Sequence, residues 1–166
     1  MISFLSKAQV RNLVIADDDR DDQVLLKEAI EEFRLDVKMN MVFDGVQLLH
    51  HLRTVAVLPD LILLDMNMPN KNGLECISEI RADKQLDHLP VVFLSTSCNL
   101  NDILKSYDLG ASLFFSKPNS FSGIRHLVQS LLFINWKDFP HKLDKNDFTK
   151  LAIQGADVLS AEPVQH

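Results

Sequence analysis

The chain has 166 residues, 46% of them apolar, and a formal net charge of −6, enough for one domain with a sizeable core and some sequence to spare. Its acidic balance supplies no basic stripe to neutralise phosphates, so direct nucleic-acid binding is not expected, and a protein partner or a cation is the more natural ligand. No apolar run approaches membrane-spanning length, and Met1 to Lys7 lacks a basic segment followed by a sustained apolar one, so neither a membrane nor export is expected.

Asn12 to Ala16 is a short apolar run ended by Asp17-Asp18-Asp19, which fits a first central strand handing over to an acidic loop. A helix is expected at once: Val24, Leu25, Ala29, Ile30 and Phe33 fall near helical spacing, and Asp21, Asp22 and Glu28 keep its first turns acidic, as the macrodipole prefers. Val37 to Phe43 alternates apolar residues against Lys38 and Asn40, the pattern of an edge strand with one wet face, and Asp44-Gly45 turns the chain. Val46, Leu48, Leu49 and Leu52 predict a second helix.

Leu61-Ile62-Leu63-Leu64 has the character of a strand covered on both faces. It delivers the carboxylate of Asp65 to a loop that Pro69 and Gly73 close off. Leu74, Ile77, Ile80 and Ala82 predict a third helix, and Pro90 to Leu94 a fourth strand ending in the hydroxyl-rich Ser95-Thr96-Ser97. Asn101 to Leu109 reads as a less apolar fourth helix with Gly110 as its C-terminal stop. Leu113-Phe114-Phe115 is a short fifth strand running into Ser116-Lys117-Pro118, and Ile124, Leu127, Val128, Leu131 and Leu132 predict a fifth helix.

Five alternations of strand and helix predict an α/β fold, a doubly wound, five-stranded parallel sheet with helices on both faces. Right-handed crossovers bring the carboxyl ends of all the strands to one edge, where open α/β folds place their chemistry. Asp17, Asp18, Asp65, Ser95 and Lys117 would meet there. Converging carboxylates repel one another unless a cation enters, and Mg2+ suits one or two carboxylates plus waters and a phosphoryl oxygen. With a lysine nearby, the cleft suits a phosphoryl group attached to Asp65 itself, as an acyl phosphate. Taken singly, an Asp or Ser after a strand is a turn residue, a Lys before Pro is solvated, and an acidic triplet is a charged helix start. Their joint arrival at successive strand exits carries the reading.

These motifs resemble the receiver domain of two-component response regulators over about Asn12 to Phe133: the acidic pair Asp17-Asp18, the segment from Asp65 to Gly73, Leu94-Ser95 after Pro90, and Lys117-Pro118. The resemblance implies a flavodoxin-like (βα)5 fold with strand order 2-1-3-4-5, an N-terminal lead over 1–11, a receiver domain over 12–134 and a C-terminal extension over 135–166. It implies that Asp65 accepts phosphate from a histidine kinase or a histidine phosphotransfer protein. Asp18 and Asp65 would ligate Mg2+ directly, the Asn67 backbone carbonyl would be a third ligand, and Asp17 would act through water. Ser95 matches the family's hydroxyl residue, Phe114 its switch aromatic and Lys117 its lysine. The resemblance allows a cis Lys117-Pro118 bond, which would aim the ammonium into the site, while most X-Pro bonds are trans, and the sequence leaves both open.

On phosphorylation Ser95 would swing toward the new oxygens, and Phe114 would fill the space it leaves from the outer face. The surface that changes would be helix four, strand five and helix five, roughly residues 101–133, and an unidentified downstream protein would read it. Phe115 points the other way and competes for the aromatic's part. Asn67 and Ser97 are small or neutral, so neither blocks attacking water. A measurable self-hydrolysis follows, slower than in relatives with an acid or amide at the Ser97 position.

The extension is too short for an independent core or a DNA-binding output domain. Asp144, Asn146 and Asp147 suggest a calcium loop, but its fifth position would be Phe148 and its twelfth Gly155, so that reading is rejected. Lys142 to Ile153 reads either as a helix docking on the domain or a partner, or as a mobile tail. Cys76 and Cys98 are too far apart for a CxxC pair and too few for a disulfide framework, so reduced thiols in a cytoplasmic protein are expected. The histidines show no metal-ligand spacing: adjacent His50 and His51 would point about 100° apart on a helix. Met39, Met41, Met66 and Met68 read as packing residues.

The alternatives are a phosphorylation-independent scaffold, a flavodoxin-type cofactor binder and an aspartyl-phosphate hydrolase. The first would usually have lost an acid or the lysine. Asp17-Asp18-Asp19 would repel the second's phosphate, and the third wants an acid where Asn67 stands. The default oligomeric expectation is a monomer, with a weak homodimer through the helix four to helix five face as the other possibility.

Overall fold

The apolar runs of the chain become strands that only a sheet covered on both sides tolerates. In the computed structural model, which describes residues 8–159, β3 (Leu61–Asp65) and β4 (Val91–Ser95) are buried at every position, and β1 (Asn12–Ala16) is buried from Leu13 onward. Residues 1–7 of the N-terminal lead and 160–166 of the extension lie outside the described residues. With β2 (Lys38–Val42) and β5 (Leu113–Ser116) these strands form one parallel sheet in the order β2-β1-β3-β4-β5. The order is the one the resemblance implied. β2 is the wet-edged strand the alternation predicts, shortened to Lys38–Val42 because the Val37 N–H turns back to the Leu35 carbonyl and the Phe43 N–H is taken by the Gln47 side chain.

The crossover helices are α1 (Arg20–Glu32), α2 (Gly45–Thr54), α3 (Gly73–Ala82), α4 (Leu100–Asp108) and α5 (Phe121–Phe133). Successive strand residues face opposite sides, so the sheet divides two cores. Val14, Ile62, Leu64, Val91, Phe93 and Phe114 pack toward α2, α3 and α4, while Leu13, Ile15, Leu63, Val92, Leu94 and Phe115 pack toward α1 and α5. Met66 and Met68 are buried in the first core and Met39 and Met41 border the second, so all four are packing residues.

Local chemistry sets the helix ends. Asp19 caps α1 by accepting from the Asp21 and Asp22 N–H groups, so the third acid of the triplet belongs to a helix start. Asn72 and Glu75 form a capping box at α3. Gly110 has φ of 94° and sits just past α4, where the Ala111 N–H reaches the Ser106 carbonyl and the Gly110 N–H the Tyr107 carbonyl. This is the left-handed stop that its position in the sequence predicts. At Gly73 a Cβ would lie 2.5 Å from the Asp65 carbonyl oxygen and 2.7 Å from a Phe93 ring carbon, so only glycine lets α3 begin against the end of β3.

After α5 the chain folds back under the sheet, with Trp136 donating to the Leu131 carbonyl and its ring 4.9 Å from that of Phe139. A sixth helix, α6 (Lys145–Gln154), is capped by Asp144 and packs against β5 and α4. It is followed by a short 3-10 turn, Ala156–Leu159. Asp144, Asn146 and Asp147, with their momentary likeness to a calcium loop, are thus the start of a helix. Among the described residues no helix is long and apolar enough to cross a membrane.

Candidate functional site

Asp65 is the last residue of β3, opposite Leu94 of β4, and is 7% exposed. Asp17 follows β1, held by its N–H to the Val42 carbonyl, and is equally enclosed, whereas Asp18 beside it is exposed. One carboxylate oxygen from each of Asp17, Asp18 and Asp65 falls in a group whose members all lie within 4.8 Å of one another. Such a set of hard oxygen donors fits a small divalent cation, Mg2+ or Mn2+.

Lys117 is carried in by the sheet. Ser95 pairs with Ser116 across β4 and β5, and the Lys117 N–H then donates to the Ser95 carbonyl at 2.8 Å, extending the ladder to the edge. The ammonium donates to Asp17 Oδ2 at 2.7 Å and Asp22 Oδ2 at 2.8 Å, and stands 3.5 Å from Asp65 Oδ1. No peptide bond among the described residues is cis, so of the two isomers the sequence leaves open for Lys117-Pro118 the structure has the trans one. The trans chain reaches the cleft because the ladder bond to Ser95 fixes its departure.

Burial is the dominant electrostatic effect on the carboxylates. It pushes Asp65 up to about 6, assisted by the nearby charges of Asp17 and Asp18 and opposed by Lys117. It also raises Asp17, against the hydrogen bond from Lys117. Burial alone would lower Lys117, but its bonds to Asp17 and Asp22 win and hold it above the usual lysine range. Lys117 thus compensates the acids only in part, and is itself firmly charged.

Ser95 is fully buried, and its Oγ accepts from the Ser97 N–H at 3.2 Å, so it faces its own turn. Asn67 is exposed on the loop after Asp65, and Ser97 is exposed beyond β4. Phe114 is not brought to the acids: it is buried in the α4-side core, its ring centroid 6.2 Å from that of Phe93. The ring therefore does not start from an outer position. Phe115 faces the opposite core, as alternation requires.

Two residues at the site escape the sequence reading. Asp22 looks like an ordinary dipole-compensating acid, yet it shares the Lys117 ammonium. Gln23 is buried, with Nε2 donating to the Asp17 and Val42 carbonyls at 2.7 and 2.8 Å, pinning the acidic loop to β2. Its signal is a polar residue on the inward side of α1. Cys76 is a buried thiol, pushed up to about 12 by burial, and plays no part here. A cavity of about 760 Å³ lies at the other end of the strands beside Asp60, Pro90 and Trp136, and contains none of the converging acids.

Residues 13–129 match the family described as the response regulator receiver domain. Response regulator Rcp1 of Synechocystis sp. is 29% identical over 124 residues, 72% of this chain and 84% of that protein. A crystal structure of its Mn(2+)-bound form superposes with a TM-score of 0.67 at 28% identity, covering 73% of this chain and 91% of that one. The phosphorylated cyanobacterial phytochrome response regulator RcpA matches with a TM-score of 0.69 and 35% identity over 73% of this chain and 90% of its own. The bacteriophytochrome response regulator RtBRR matches at 0.64 and 28% identity over 95% of this chain and 99% of its own.

Proposed function

The chain belongs to the response regulator receiver family, and on that premise we propose that it is a single-domain response regulator whose Asp65 accepts a phosphoryl group from a histidine kinase or a histidine phosphotransfer protein. The observation that carries this reading is the meeting of Asp65 with Asp17, Asp18 and Lys117 at the carboxyl edge of the sheet. Asp65 Oδ would attack phosphorus as the P–N bond to the donor imidazole breaks, giving an acyl phosphate and returning the electron pair to the imidazole, which takes a proton from water.

Asp18 and Asp65 would hold Mg2+, with the Asn67 carbonyl as a third ligand and Asp17 acting through water. The ion supplies charge neutralisation for the carboxylates and the phosphoryl oxygens. The Mn(2+)-bound form of Rcp1 supports a divalent ion at such a site. Lys117 would move from its present acids to the new phosphoryl oxygens, and Ser95 Oγ would leave the Ser97 N–H to donate to them. Phe114 would then shift within the core and alter the α4-β5-α5 face for a downstream protein. The chain acts on no substrate other than its own phosphoryl group. A cytoplasmic monomer, with 12–134 as the receiver unit and 135–166 as its extension, is the setting this implies.

One observation favours the alternative, a phosphorylation-independent scaffold: Lys117 already bonds two carboxylates and needs no phosphate for a partner. Intact mass after incubation with acetyl phosphate and Mg2+ separates the two, beside Asp65→Asn and a chelator control. A single adduct requiring both the ion and Asp65 is expected. No adduct from either acetyl phosphate or a phosphorylated histidine kinase, with Mg2+ bound, would sink the receiver reading. Because RcpA and RtBRR are phytochrome response regulators, a phytochrome-type kinase is the first donor to try.

A further inference from the structure

The phosphoryl chemistry makes no use of α6, yet α6 occupies a defined place. It lies along β5, the edge strand of the sheet, whose flank would otherwise be open. Phe148 and Ala152, one turn apart, are buried in the α4-side core together with Phe114, while Leu151 borders the α5-side core with Phe115. Phe148 is 0% exposed, and its ring lies 5.1 Å from that of Tyr107, whose hydroxyl donates to the Leu143 carbonyl at 2.9 Å. An aromatic, an aliphatic and a small residue at i, i+3 and i+4 is how an amphipathic helix enters a groove on another protein.

The seam between α6 and the domain is only partly closed. A cavity of about 610 Å³ separates the end of α6 and the following turn from Cys98, Ser116, Pro118 and His126. Beside the packing of Leu151, Ala156 and Leu159 on the α5-side core, two polar contacts, each individually weak, cross the seam there: Cys98 Sγ to the Ala152 carbonyl at 3.6 Å and His126 Nε2 to Asp157 Oδ1 at 3.0 Å. A ten-residue helix is too short to persist by itself in water, so α6 exists by virtue of this docking. The loops beneath it are those of the switch. Cys98 stands three residues beyond Ser95, and Ser116 and Pro118 flank Lys117.

We propose that the α4-β5-α5 surface is an acceptor groove for an amphipathic helix, filled in the unphosphorylated chain by its own α6. Phosphorylation vacates it for a partner protein's helix that presents an aromatic, an aliphatic and a small residue at the spacing of Phe148, Leu151 and Ala152. The link to phosphorylation rests on the Asp65 reading; the groove does not. α6 thereby competes with the partner, whose apparent affinity is reduced by the fraction of chains in which the groove is closed.

The test uses the full chain and a fluorescein-labelled peptide of residues 142–156, read by anisotropy. Phe148→Asp in the chain should free the groove, and the peptide should bind that variant at least about tenfold more tightly than it binds the unphosphorylated wild type. Wild type carrying the phosphoryl group should gain similarly, and a peptide with Phe148→Asp should not bind. Amide exchange in wild type gives a second readout independent of the variant's folding: α6 should exchange about tenfold faster after phosphorylation while β3 does not change. A folded Phe148→Asp chain that binds the peptide no better than wild type would overturn the groove. A phosphoryl adduct by mass with no change in α6 exchange or peptide binding would overturn the coupling and leave Asp65 as acceptor. Gain in Phe148→Asp with no adduct in wild type from either acetyl phosphate or a phosphorylated histidine kinase, Mg2+ being bound, would keep the groove and remove the receiver reading. Doubling of mass that excess peptide cannot reverse would assign the groove to a second copy of the chain and overturn the partner helix.

Discussion

Lys117 Nζ donates to Asp17 Oδ2 at 2.7 Å, closer than it comes to Asp65, so the lysine is first the counter-ion of the β1 loop. Both side chains are nearly enclosed, at 14% and 4% exposed. Removing the ammonium strands buried carboxylates, which costs more than the pair itself contributes. Lys117→Ala should therefore lower stability by roughly 1–3 kcal/mol in chelator, and Mg2+ should recover part of that loss by supplying the missing charge. Urea denaturation with and without the ion measures both. Equal losses in the two conditions would mean that cation and lysine do not share the same acids.

Asp65 gives a pH dependence with a definite sign. Its folded value of about 6 lies above the ordinary 3.8, chiefly through burial, so the folded state holds this proton more tightly than the unfolded chain. The stabilisation is complete below pH 4 and is lost as pH rises through 6, a change on the order of 2–3 kcal/mol. In chelator, Asp65→Asn should match wild type near pH 4 and exceed its stability above pH 7 by about that amount. Mg2+ should stabilise wild type at pH 7 and leave Asp65→Asn nearly unmoved. A difference between the two proteins that does not vary with pH would remove burial of charge as its cause.

The sheet was legible because β3 and β4 are apolar at consecutive positions and end in Asp65 and Ser95, a pattern that few arrangements other than a doubly covered sheet accept. The meeting of Asp17, Asp18, Asp65 and Lys117 followed from topology, since parallel strands share a carboxyl edge. What the sequence hid depends on orientation within elements. Whether Asp22 faces solvent or Lys117 turns on the rotation of α1, and its charge also suits a helix start. Whether the Ser95 hydroxyl faces a phosphoryl site or the Ser97 N–H is a rotamer choice. The docking of α6 rests on Phe148, Leu151 and Ala152 within a largely polar stretch, too short a pattern to separate a covering helix from a tail. The isomer of the Lys117-Pro118 bond, which the sequence left open, is trans.

Gly73 ties the position of Asp65 to helix packing. The Gly73 N–H donates to the Met66 carbonyl at 2.9 Å, and an added Cβ would meet the Asp65 carbonyl oxygen at 2.5 Å, which is backbone and cannot step aside. Gly73→Ala should cost about 1–3 kcal/mol as overpacking and slow phosphorylation by acetyl phosphate several-fold, because the end of β3 must move. Melting temperature and the rate of adduct formation should fall together. A variant that is less stable but phosphorylated at the wild-type rate would show that α3 shifts and β3 holds.

Ser97 bears on how long the phosphoryl group lasts. It is exposed two residues beyond Ser95, with its hydroxyl accepting from Asn99 Nδ2 at 3.1 Å, so it offers attacking water neither a steric barrier nor a base. A carboxylate there could accept a proton from water approaching the acyl phosphate. Full general-base assistance reaches about 100-fold or more, and a flexible exposed side chain should realise only a small part of it. Ser97→Glu is therefore expected to shorten the phosphoryl half-life several-fold at pH 7, measured by intact mass after removal of acetyl phosphate. The gain should fade as pH drops toward 4 and the introduced carboxylate takes up its proton. A longer half-life in Ser97→Glu than in wild type would mean that the side chain shields the phosphorus, and that water reaches it from the Asn67 side of the cleft.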